Sequence, residues 1–459
     1  MRTRQTPRAS VGIDDFAAYI PDLYLPIELL AQERGIDADK LRLGLGLEQM
    51  ALPDVDEDAA SMAASAVLAL LERNEVDPRT LGRIYLGTES ALDGAKPTAT
   101  YVLEMLRQYY EPTYGADCLD RCDVIDMTFA CVGGVDALLN TADWVRGAPD
   151  RVGVVVASDV AKYALGSTGE YTQGAGAVAM LVSREARLLA LQPSVGVATR
   201  GVHDFFKPGR AEVPTFDGPY SNAMYQARVR DAYADFVRQV DQPVDEQPLF
   251  TWSRIVMHLP YAAHGRRMLT ELFYKELDRQ GIWEDVATAM RLGAAPSQAD
   301  FADAAAYDQA YGTYLRSIGK SSAYRDFVEA QLAGGSRASG RVGNVYAASV
   351  FLALMSTLLH AAQTGQALAG KTLGILSYGS GSKSKVFSCA VRGEWERIVK
   401  RWPLFDQLDA RTPVDIPTYL QLHRGELTSP IGVAKGKFVL DRISTETNKE
   451  GARYYRYAA

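Results

Sequence analysis

The sequence predicts an α/β fold made of two similar halves. Apolar runs typical of strands alternate with helical patterns through most of the 459 residues, which is the order of a sheet covered by helices. The run "RVGVVVASDV" at 151–160 is almost continuously apolar, as expected for a strand buried on both faces. The same order of elements recurs in the second half, and this recurrence indicates an internal duplication.

The first half carries four predicted strands and two predicted helices. We predict strands at 83–90, 123–128 (buried), 151–160 and 174–183, and helices at 97–110 and 133–147. Proline stands in the first turn of the earlier helix, and the later helix ends at Gly147. Both residues are common at these positions of a helix.

The second half repeats this pattern and adds a terminal hairpin. We predict strands at 254–261 and twice within 372–391, helices at 264–277 and 343–362, an alanine-rich helical region at 280–340, and a hairpin at 436–459. The polar segment "TNKEG" is its predicted turn. Glu89 and His258 then fall at matching strand ends, and Cys131 and Asn344 at matching helix starts.

Composition bounds the class of protein. Hydrophobic residues make up 47%, charged residues 23%, and the net charge is −7, so we expect a globular protein without a nucleic-acid partner. The segment "MRTRQTPRASVGIDDF" lacks the apolar core of a secretory signal, and no apolar run approaches the ~20 residues of a membrane span. Four cysteines form no disulfide framework, so a reducing cytoplasm fits best. Cys118 and Cys122 have no second ligand pair nearby, so no zinc site is expected.

Cys131 stands where an apolar strand passes into a helix, in "DVIDMTFACVGGVDALLNTADW". Exposed N–H groups and the helix dipole at such a position lower the pKa of a thiol, and the glycines let backbone approach a substrate carbonyl. This pattern suits a nucleophile that forms a thioester. A buried structural cysteine is the commoner alternative, and we assign that role to Cys118, Cys122 and Cys389.

Two further candidates stand at predicted strand ends. Glu89, in "GTESALDGAK", suits a general acid or base if its carboxyl is partly desolvated, while a surface or capping acid is the alternative. His258, in "MHLPY", suits a substrate contact, while a satisfied core histidine is the alternative. Catalytic groups from several strand ends are typical of α/β enzymes.

Several blocks together resemble one family. The blocks are "VGIDDFAAYIPDLYLPIELL", "GTESALDGAK", "FACVGG", "YTQGAGAVAML", "HDFFKP", "MHLPY", "GNVYAAS" and "SYGSGS", in the family's order from about residue 11 to 391. They resemble 3-hydroxy-3-methylglutaryl-CoA (HMG-CoA) synthases. The resemblance implies a thiolase-like fold in five αβαβα layers, usually as a homodimer. It implies an N-terminal half at 11–200 with the nucleophilic cysteine, and a C-terminal half at 201–459.

The resemblance also implies a reaction. Cys131 matches the residue that accepts acetyl from acetyl-CoA, and Glu89 matches the general acid/base of the condensation with acetoacetyl-CoA. His258 matches the histidine that polarises the acetoacetyl group. Oxyanion donors are expected from backbone N–H groups at the helix start and in the "GSG" turn. Coenzyme A thioesters are the expected substrates, with no metal or redox cofactor and no membrane.

Four polar residues match substrate contacts of the family. Asn344 matches a substrate-binding asparagine, with a helix cap as its alternative. Ser221 and Ser380 match substrate-contacting serines, with turn residues as their alternative. Thr172 matches a substrate-contacting threonine.

The expected coenzyme A contacts depart from the family at one position. Arg267 replaces a lysine and keeps the positive charge for a phosphate. Where the family usually has a further lysine, this chain has Ala263, followed by His264. That departure concerns one expected coenzyme A contact and not the expected chemistry.

These observations lead to three hypotheses about the function. The first is HMG-CoA synthase of the mevalonate pathway. The second is the related synthase of polyketide β-branching, whose substrates come from acyl carrier proteins; Ala263 favours it, while "GTESALDGAKPTATYVL" and "GSTGEYTQGAGAVAM" look closer to the metabolic enzymes. The third is a non-catalytic thiolase-fold scaffold, against which the presence of Cys131, Glu89 and His258 together argues.

Overall fold

The computed structural model describes residues 10–147, 152–209, 211–240 and 247–459. Residues 1–9, where no secretory signal is predicted, and Arg151, the first residue of a predicted strand, lie outside these ranges. The strands are β1 (Val11–Tyr19), β2 (Leu23–Pro26), β3 (Gln49–Leu52), β4 (Leu81–Gly87), β5 (Asp123–Met127), β6 (Val152–Ala161), β7 (Gly174–Arg184), β8 (Leu189–Thr199), β9 (Phe205–Phe206), β10 (Thr215–Phe216), β11 (Arg254–Met257), β12 (Thr372–Gly379), β13 (Lys383–Val391), β14 (Thr412–Pro413), β15 (Lys437–Ile443) and β16 (Arg453–Ala458).

The helices surround and separate these strands. They are α1 (Ile27–Glu33), α2 (Ala59–Arg73), α3 (Thr98–Tyr114), α4 (Gly133–Gly147), α5 (Gly218–Val240), α6 (Pro248–Thr251), α7 (His264–Arg279), α8 (Trp283–Ala289), α9 (Ala304–Lys320), α10 (Ser322–Gln331), α11 (Ser336–Val342), α12 (Ser349–Gln363), α13 (Trp395–Val399), α14 (Leu404–Asp409) and α15 (Ile416–Arg424). The alanine-rich region at 280–340 is helical, as predicted.

The main sheet has nine strands in the order β11-β12-β13-β8-β1-β7-β6-β4-β5. Only Gly12 and Ile13 of β1 pair with β8, so two blocks of strands meet at a narrow seam. Within the first block β6 pairs parallel with β4 and antiparallel with β7, and β7 is buried along most of its length. The continuous apolar pattern of both strands therefore has its expected cause, burial on two faces.

Helices cover both blocks and fill the space between them. Helix α2 packs on β1, β6 and β7, and α5 packs on β8, β12 and β13. Helix α4 packs on β4 and β6, and a β-carbon added at Gly134 of α4 would meet the ring of Phe351 in α12. The resulting order of helix, sheet, helix, sheet and helix confirms the predicted thiolase-like α/β fold.

Helix α12 is apolar on nearly every side because it lies in the middle layer. Within the described ranges, one helical window, Tyr346–Gln363, has the length and apolarity of a membrane span, although no such run is predicted. Residues covering 83% of that window are buried inside the protein. A helix that is buried in the core of a protein can have the same length and apolar composition as a membrane span.

Two predictions about strands have different outcomes. The C-terminal hairpin is confirmed as β15 and β16, and Phe438 and Tyr457 pack on Tyr109 of α3. Strand β5 is predicted as buried, which is wrong. It is the last strand of the sheet, and the side chain of Ile125 is 41% exposed.

Candidate active site

Cys131 lies between β5 and α4, in the predicted order of strand, cysteine, two glycines and helix. The residue before it, Ala130, has a φ of 42°, a conformation uncommon for residues with a side chain. Such conformations occur where the surrounding structure requires them, often at functional sites. This turn brings the Cys131 side chain to a cavity while the residue stays 9% exposed.

The two glycines after Cys131 serve packing, which differs from their predicted role. A β-carbon at Gly133 would lie 2.6 Å from the carbonyl oxygen of Met127. One at Gly134 would lie 2.8 Å from the carbonyl oxygen of Ala347. The glycines therefore let α4 approach β5 and the segment before α12, and protein backbone occupies the space assigned to substrate.

The carboxyl group of Glu89 is an electrostatic neighbour of the Cys131 thiol. Burial, then the negative charge of Glu89, raises the pKa of the Cys131 thiol well above its usual value. The prediction that the helix start lowers this pKa is wrong, because burial and the acids outweigh the backbone N–H of Cys131. The thiol needs a proton acceptor, and Glu89 is in place to be that acceptor.

Asp159 of β6 holds Glu89 and was missed by the sequence analysis. Its buried carboxylate accepts hydrogen bonds from the backbone N–H of Glu89 at 2.7 Å and of Ala347 at 2.9 Å. Burial, then the charge of Asp159, raises the pKa of Glu89 to about 8, and burial raises the pKa of Asp159 to about 6. The available signal was an aspartate inside the apolar run of β6.

His258 directly follows β11 and is buried. Its backbone N–H donates to the carbonyl oxygen of Leu376 at 3.0 Å, and the hydroxyl of Tyr225 donates to its carbonyl oxygen at 2.9 Å. Nδ1 is buried without a hydrogen-bond partner among the described residues. Burial lowers the pKa of His258 to about 3, so the imidazole is neutral near pH 7 and carries one N–H donor.

One cavity of about 360 Å³ brings the predicted residues together. It is lined by Cys131, His258 and all five predicted substrate contacts, namely Thr172, Ser221, Arg267, Asn344 and Ser380. Glu89 does not line the cavity and lies against Cys131 instead. The structure thus places each predicted site residue in or beside one space.

The polar lining residues are already held by protein groups. Thr172 donates to the carbonyl oxygen of Gly169 at 2.8 Å, and Ser221 donates to Asp204 at 3.2 Å. The side-chain oxygen of Asn344 accepts from the N–H of Tyr346 at 2.9 Å and from the hydroxyl of Ser349 at 3.0 Å, so it holds the turn before α12 without capping that helix. These bonds fix the positions of the side chains around the cavity.

Arg267 lies on α7 and is exposed at the cavity. It donates to the carbonyl oxygen of Gly44 at 3.0 Å and to the hydroxyl of Tyr261 at 3.3 Å. No carboxylate of the described ranges forms an ion pair with it. Its charge is therefore available to an anionic ligand.

Two N–H groups of the glycine-rich turn are used by the protein, and the role of the turn as an oxyanion site stays a prediction for the N–H of Ser380. The N–H of Gly381 donates to buried Asp204 at 2.8 Å, and that of Ser382 donates to the carbonyl oxygen of Arg200. These two donors are used by the protein, while Ser380 lines the cavity. Asp204, which also accepts from the hydroxyl of Tyr378 at 2.6 Å, was missed because its sequence neighbourhood is aromatic and carries no acid pattern.

The other three cysteines, Cys118, Cys122 and Cys389, are buried, form no disulfide and lie outside the cavity. The parts of the chain that the structure describes hold no group of three or more metal-ligating side chains.

A thiolase-like fold with a cavity lined by a cysteine and a histidine, and with a carboxyl group beside the cysteine, defines the class of acyl-transferring, Claisen-type condensing enzymes. Family models described as hydroxymethylglutaryl-coenzyme A synthase match the chain at 7–187 (N terminal) and 195–423 (C terminal). The chain belongs to the hydroxymethylglutaryl-CoA synthase family.

Relatives and solved structures agree with this assignment. The chain is 32% identical to the hydroxymethylglutaryl-CoA synthase of Haloferax volcanii over 417 residues, which are 90% of this chain and 91% of the relative. It is 31% identical to MvaS in complex with 3-hydroxy-3-methylglutaryl coenzyme A, with a TM-score of 0.80 over 98% of this chain and all of that one. The curacin biosynthetic pathway HMG synthase is 21% identical with a TM-score of 0.76 over the same shares, a likeness of fold alone.

Proposed function

We propose that this chain condenses acetyl-CoA with acetoacetyl-CoA and water to give HMG-CoA and CoA through an acetyl-cysteine intermediate, as an enzyme of the mevalonate pathway. The observation that carries the proposal is one cavity lined by Cys131 and His258, with the Glu89 carboxyl group beside the Cys131 thiol. The relatives named for this reaction support it over most of the chain.

The first step makes the thioester. Glu89 accepts the proton of Cys131 as Sγ attacks the acetyl carbonyl carbon of acetyl-CoA. The bond from that carbon to the sulfur of CoA breaks, and Glu89 returns the proton to the leaving sulfur. A carboxyl with a pKa of about 8 exchanges protons near neutral pH, as a general acid/base requires.

The second step forms the carbon–carbon bond. The Glu89 carboxylate removes a proton from the methyl group of acetyl-Cys131, and the resulting enolate adds to C3 of acetoacetyl-CoA. The neutral His258 imidazole donates a hydrogen bond to the C3 oxygen, which then receives the proton from Glu89. Water finally hydrolyses the thioester and releases HMG-CoA and the Cys131 thiol.

The remaining cavity residues are proposed as substrate contacts. Thr172, Ser221, Asn344 and Ser380 line the same space as Cys131, and Arg267 binds the nucleotide phosphates. We place the protein in the cytoplasm as a homodimer, for which the exposed edge strand β5 is the support. The halves at 11–200 and 201–459 stay a prediction.

Acetylation tests the proposal directly. Radiolabelled acetyl-CoA should leave one acetyl group on each subunit, mapped to Cys131. Glu89→Ala should still accept an acetyl group, but more slowly because the thiol has lost its proton acceptor. It should form HMG-CoA about 10²–10⁴-fold more slowly. Cys389→Ala is the matched control and should behave as wild type. Label retained on Cys131→Ala, or near-normal turnover by Glu89→Ala, contradicts the mechanism.

Carrier-bound substrates are the second candidate, favoured by Ala263 in place of a lysine. If Arg267 binds a phosphate of free CoA, Arg267→Ala should raise the KM for acetoacetyl-CoA with kcat less affected, because a contact far from the reacting carbons contributes mainly uniform binding. The defect should weaken at high salt. The comparison is kcat/KM for acetoacetyl-CoA against an acetoacetylated carrier protein. Preference for the carrier, with Arg267→Ala harmless on CoA, supports the polyketide candidate.

A further inference from the structure

His264 is a buried histidine in the cavity whose side chain has no polar partner. It is the first residue of α7, lines the cavity beside His258, and is 2% exposed. Both Nδ1 and Nε2 are buried without a hydrogen-bond partner among the described residues. A buried polar group normally has a partner, because leaving it unpaired costs free energy. The missing partner of His264 is therefore expected in the ligand.

Aromatic rings fix the position of this imidazole. The ring of His264 meets that of Tyr225 edge to face at 4.6 Å and that of Tyr261 at 4.8 Å, measured between ring centres. Burial, then the charges of His258 and Arg267, lowers its pKa well below the usual value. The neutral ring presents one N–H donor and one nitrogen acceptor. An amide group has the complementary pair, a carbonyl oxygen and an N–H.

The contacts of His264 place it between the two ends of the site. On one side Tyr261 connects it to Arg267, which is exposed and free for a phosphate. On the other side Tyr225 stacks with His258 and donates to its carbonyl oxygen. When a ligand has its phosphates at Arg267 and its thioester at Cys131, the segment that joins these two groups lies beside His264. In coenzyme A that segment is the pantetheine arm, which carries two amides.

We propose that His264 binds an amide of the pantetheine arm and so positions the thioester against Cys131 and His258. The proposal rests on the proposed function for the identity of the substrate. It assigns a binding role to His264, which directly follows Ala263, the position where the family usually has a lysine. The hydrogen bond uses one nitrogen of the ring, and no covalent step is involved.

Shortened substrates test the role of the amides. His264→Phe keeps an aromatic ring between Tyr225 and Tyr261 and removes both nitrogens. It should raise the Kd of acetoacetyl-CoA and of acetoacetyl-pantetheine on the order of 10-fold, because the amide loses its partner in a buried place. His264→Gln, with one donor and one acceptor, should recover most of that loss. Isothermal titration calorimetry gives these constants without turnover.

Turnover with an amide-free thioester separates binding from a structural effect. With acetoacetyl-S-propyl thioester, which has no amide, wild type and His264→Phe should have equal kcat/KM, while acetoacetyl-pantetheine should show the 10-fold loss. His360→Phe, a histidine outside this cavity, is the control and should change neither. An equal loss on the S-propyl thioester, an unchanged Kd in His264→Phe, or no binding of acetoacetyl-pantetheine to wild type overturns the proposal. Absence of HMG-CoA formation by wild type instead counts against the proposed function, while the calorimetry still tests His264.

Discussion

At the scale of single residues, two buried carboxyl groups set the chemistry of the site. Asp159 is held by four hydrogen-bond donors, the backbone N–H groups of Glu89 and Ala347 and the hydroxyls of Thr88 and Ser90. Glu89 has a buried oxygen, Oε1, without a partner among the described residues. In such a pair the carboxyl group that accepts more hydrogen bonds ionises first, and its negative charge keeps the other carboxyl group protonated. Above its own pKa of about 6, Asp159 therefore acts on Glu89 as a negative charge.

This arrangement makes stability depend on pH. The folded pKa of Glu89, about 8, lies above the usual glutamate value of 4.5. Between these two pH values the folded state binds more protons than the unfolded state. The contribution of Glu89 to the stability of the fold is therefore full below pH 4.5 and is lost as the pH rises through 8. The free energy of unfolding of Glu89→Gln should equal that of wild type near pH 4.5. At pH 9 it should be higher than that of wild type by on the order of 1 kcal/mol or more.

Urea unfolding at fixed protein concentration from pH 4.5 to 9 measures this difference. Glu104→Gln is the control, because Arg107 lowers the pKa of that carboxyl, which is partly exposed. The difference in the free energy of unfolding between Glu104→Gln and wild type should not change with pH above pH 6. A flat difference for Glu89→Gln as well contradicts the raised pKa.

At the scale of elements, the approach of α4 to its neighbours positions Cys131. Ala130 has a φ of 42° three residues before α4, and Tyr346 has a φ of 40° three residues before α12. Counted from these residues of positive φ, Ala347, rather than the predicted Asn344, corresponds to Cys131. Both turns meet at Asp159, which accepts from Ala347 of the second turn and holds Glu89 beside Cys131.

The packing of α4 gives a prediction about stability. Gly134→Ala adds a β-carbon 2.8 Å from the carbonyl oxygen of Ala347 and 2.9 Å from the ring of Phe351, so α4 must shift. Overpacking of this kind costs about 1–3 kcal/mol. Thermal unfolding should show a lower Tm, together with slower acetylation of Cys131. Gly147→Ala, in the same helix with no atom within 4 Å of the added carbon, should be neutral, and equal Tm values for the two variants contradict this account.

At the scale of the whole molecule, the sheet ends at β5 with an unpaired edge. Asp123 and Ile125 of this strand are exposed, which is unusual for the last strand of a large sheet that stays free in solution. A second copy adding its own β5 would continue the sheet across a two-fold axis. The exposed edge therefore supports the proposed homodimer.

A charge on this edge tests the dimer. Ile125→Lys should shift the sedimentation equilibrium mass from twice the chain mass toward one, because the cation is buried without a partner at the interface. Val433→Lys is the control, since Val433 is a loop residue that is 95% exposed. A dimer that survives Ile125→Lys places the interface elsewhere.

The sequence by itself determined the order of the elements around Cys131 and named several candidates for the site. Continuous apolar runs predict buried strands because a strand covered on both faces has no polar side, and β6 and β7 follow that rule. The strand–cysteine–glycine–glycine–helix order around Cys131, the helical region at 280–340 and the terminal hairpin follow from local pattern alone. The blocks shared with one family named the candidates that the structure gathers around a single cavity.

Only the tertiary structure decided what depends on distant neighbours. The exposure of β5 depends on its place at the end of the sheet, which local pattern does not report. The raised pKa of Cys131 depends on burial and on Glu89, and the raised pKa of Glu89 depends on Asp159, 70 residues further along the chain. Charge interactions and desolvation act through space, so the protonation states of the site became visible only when the strands were assembled.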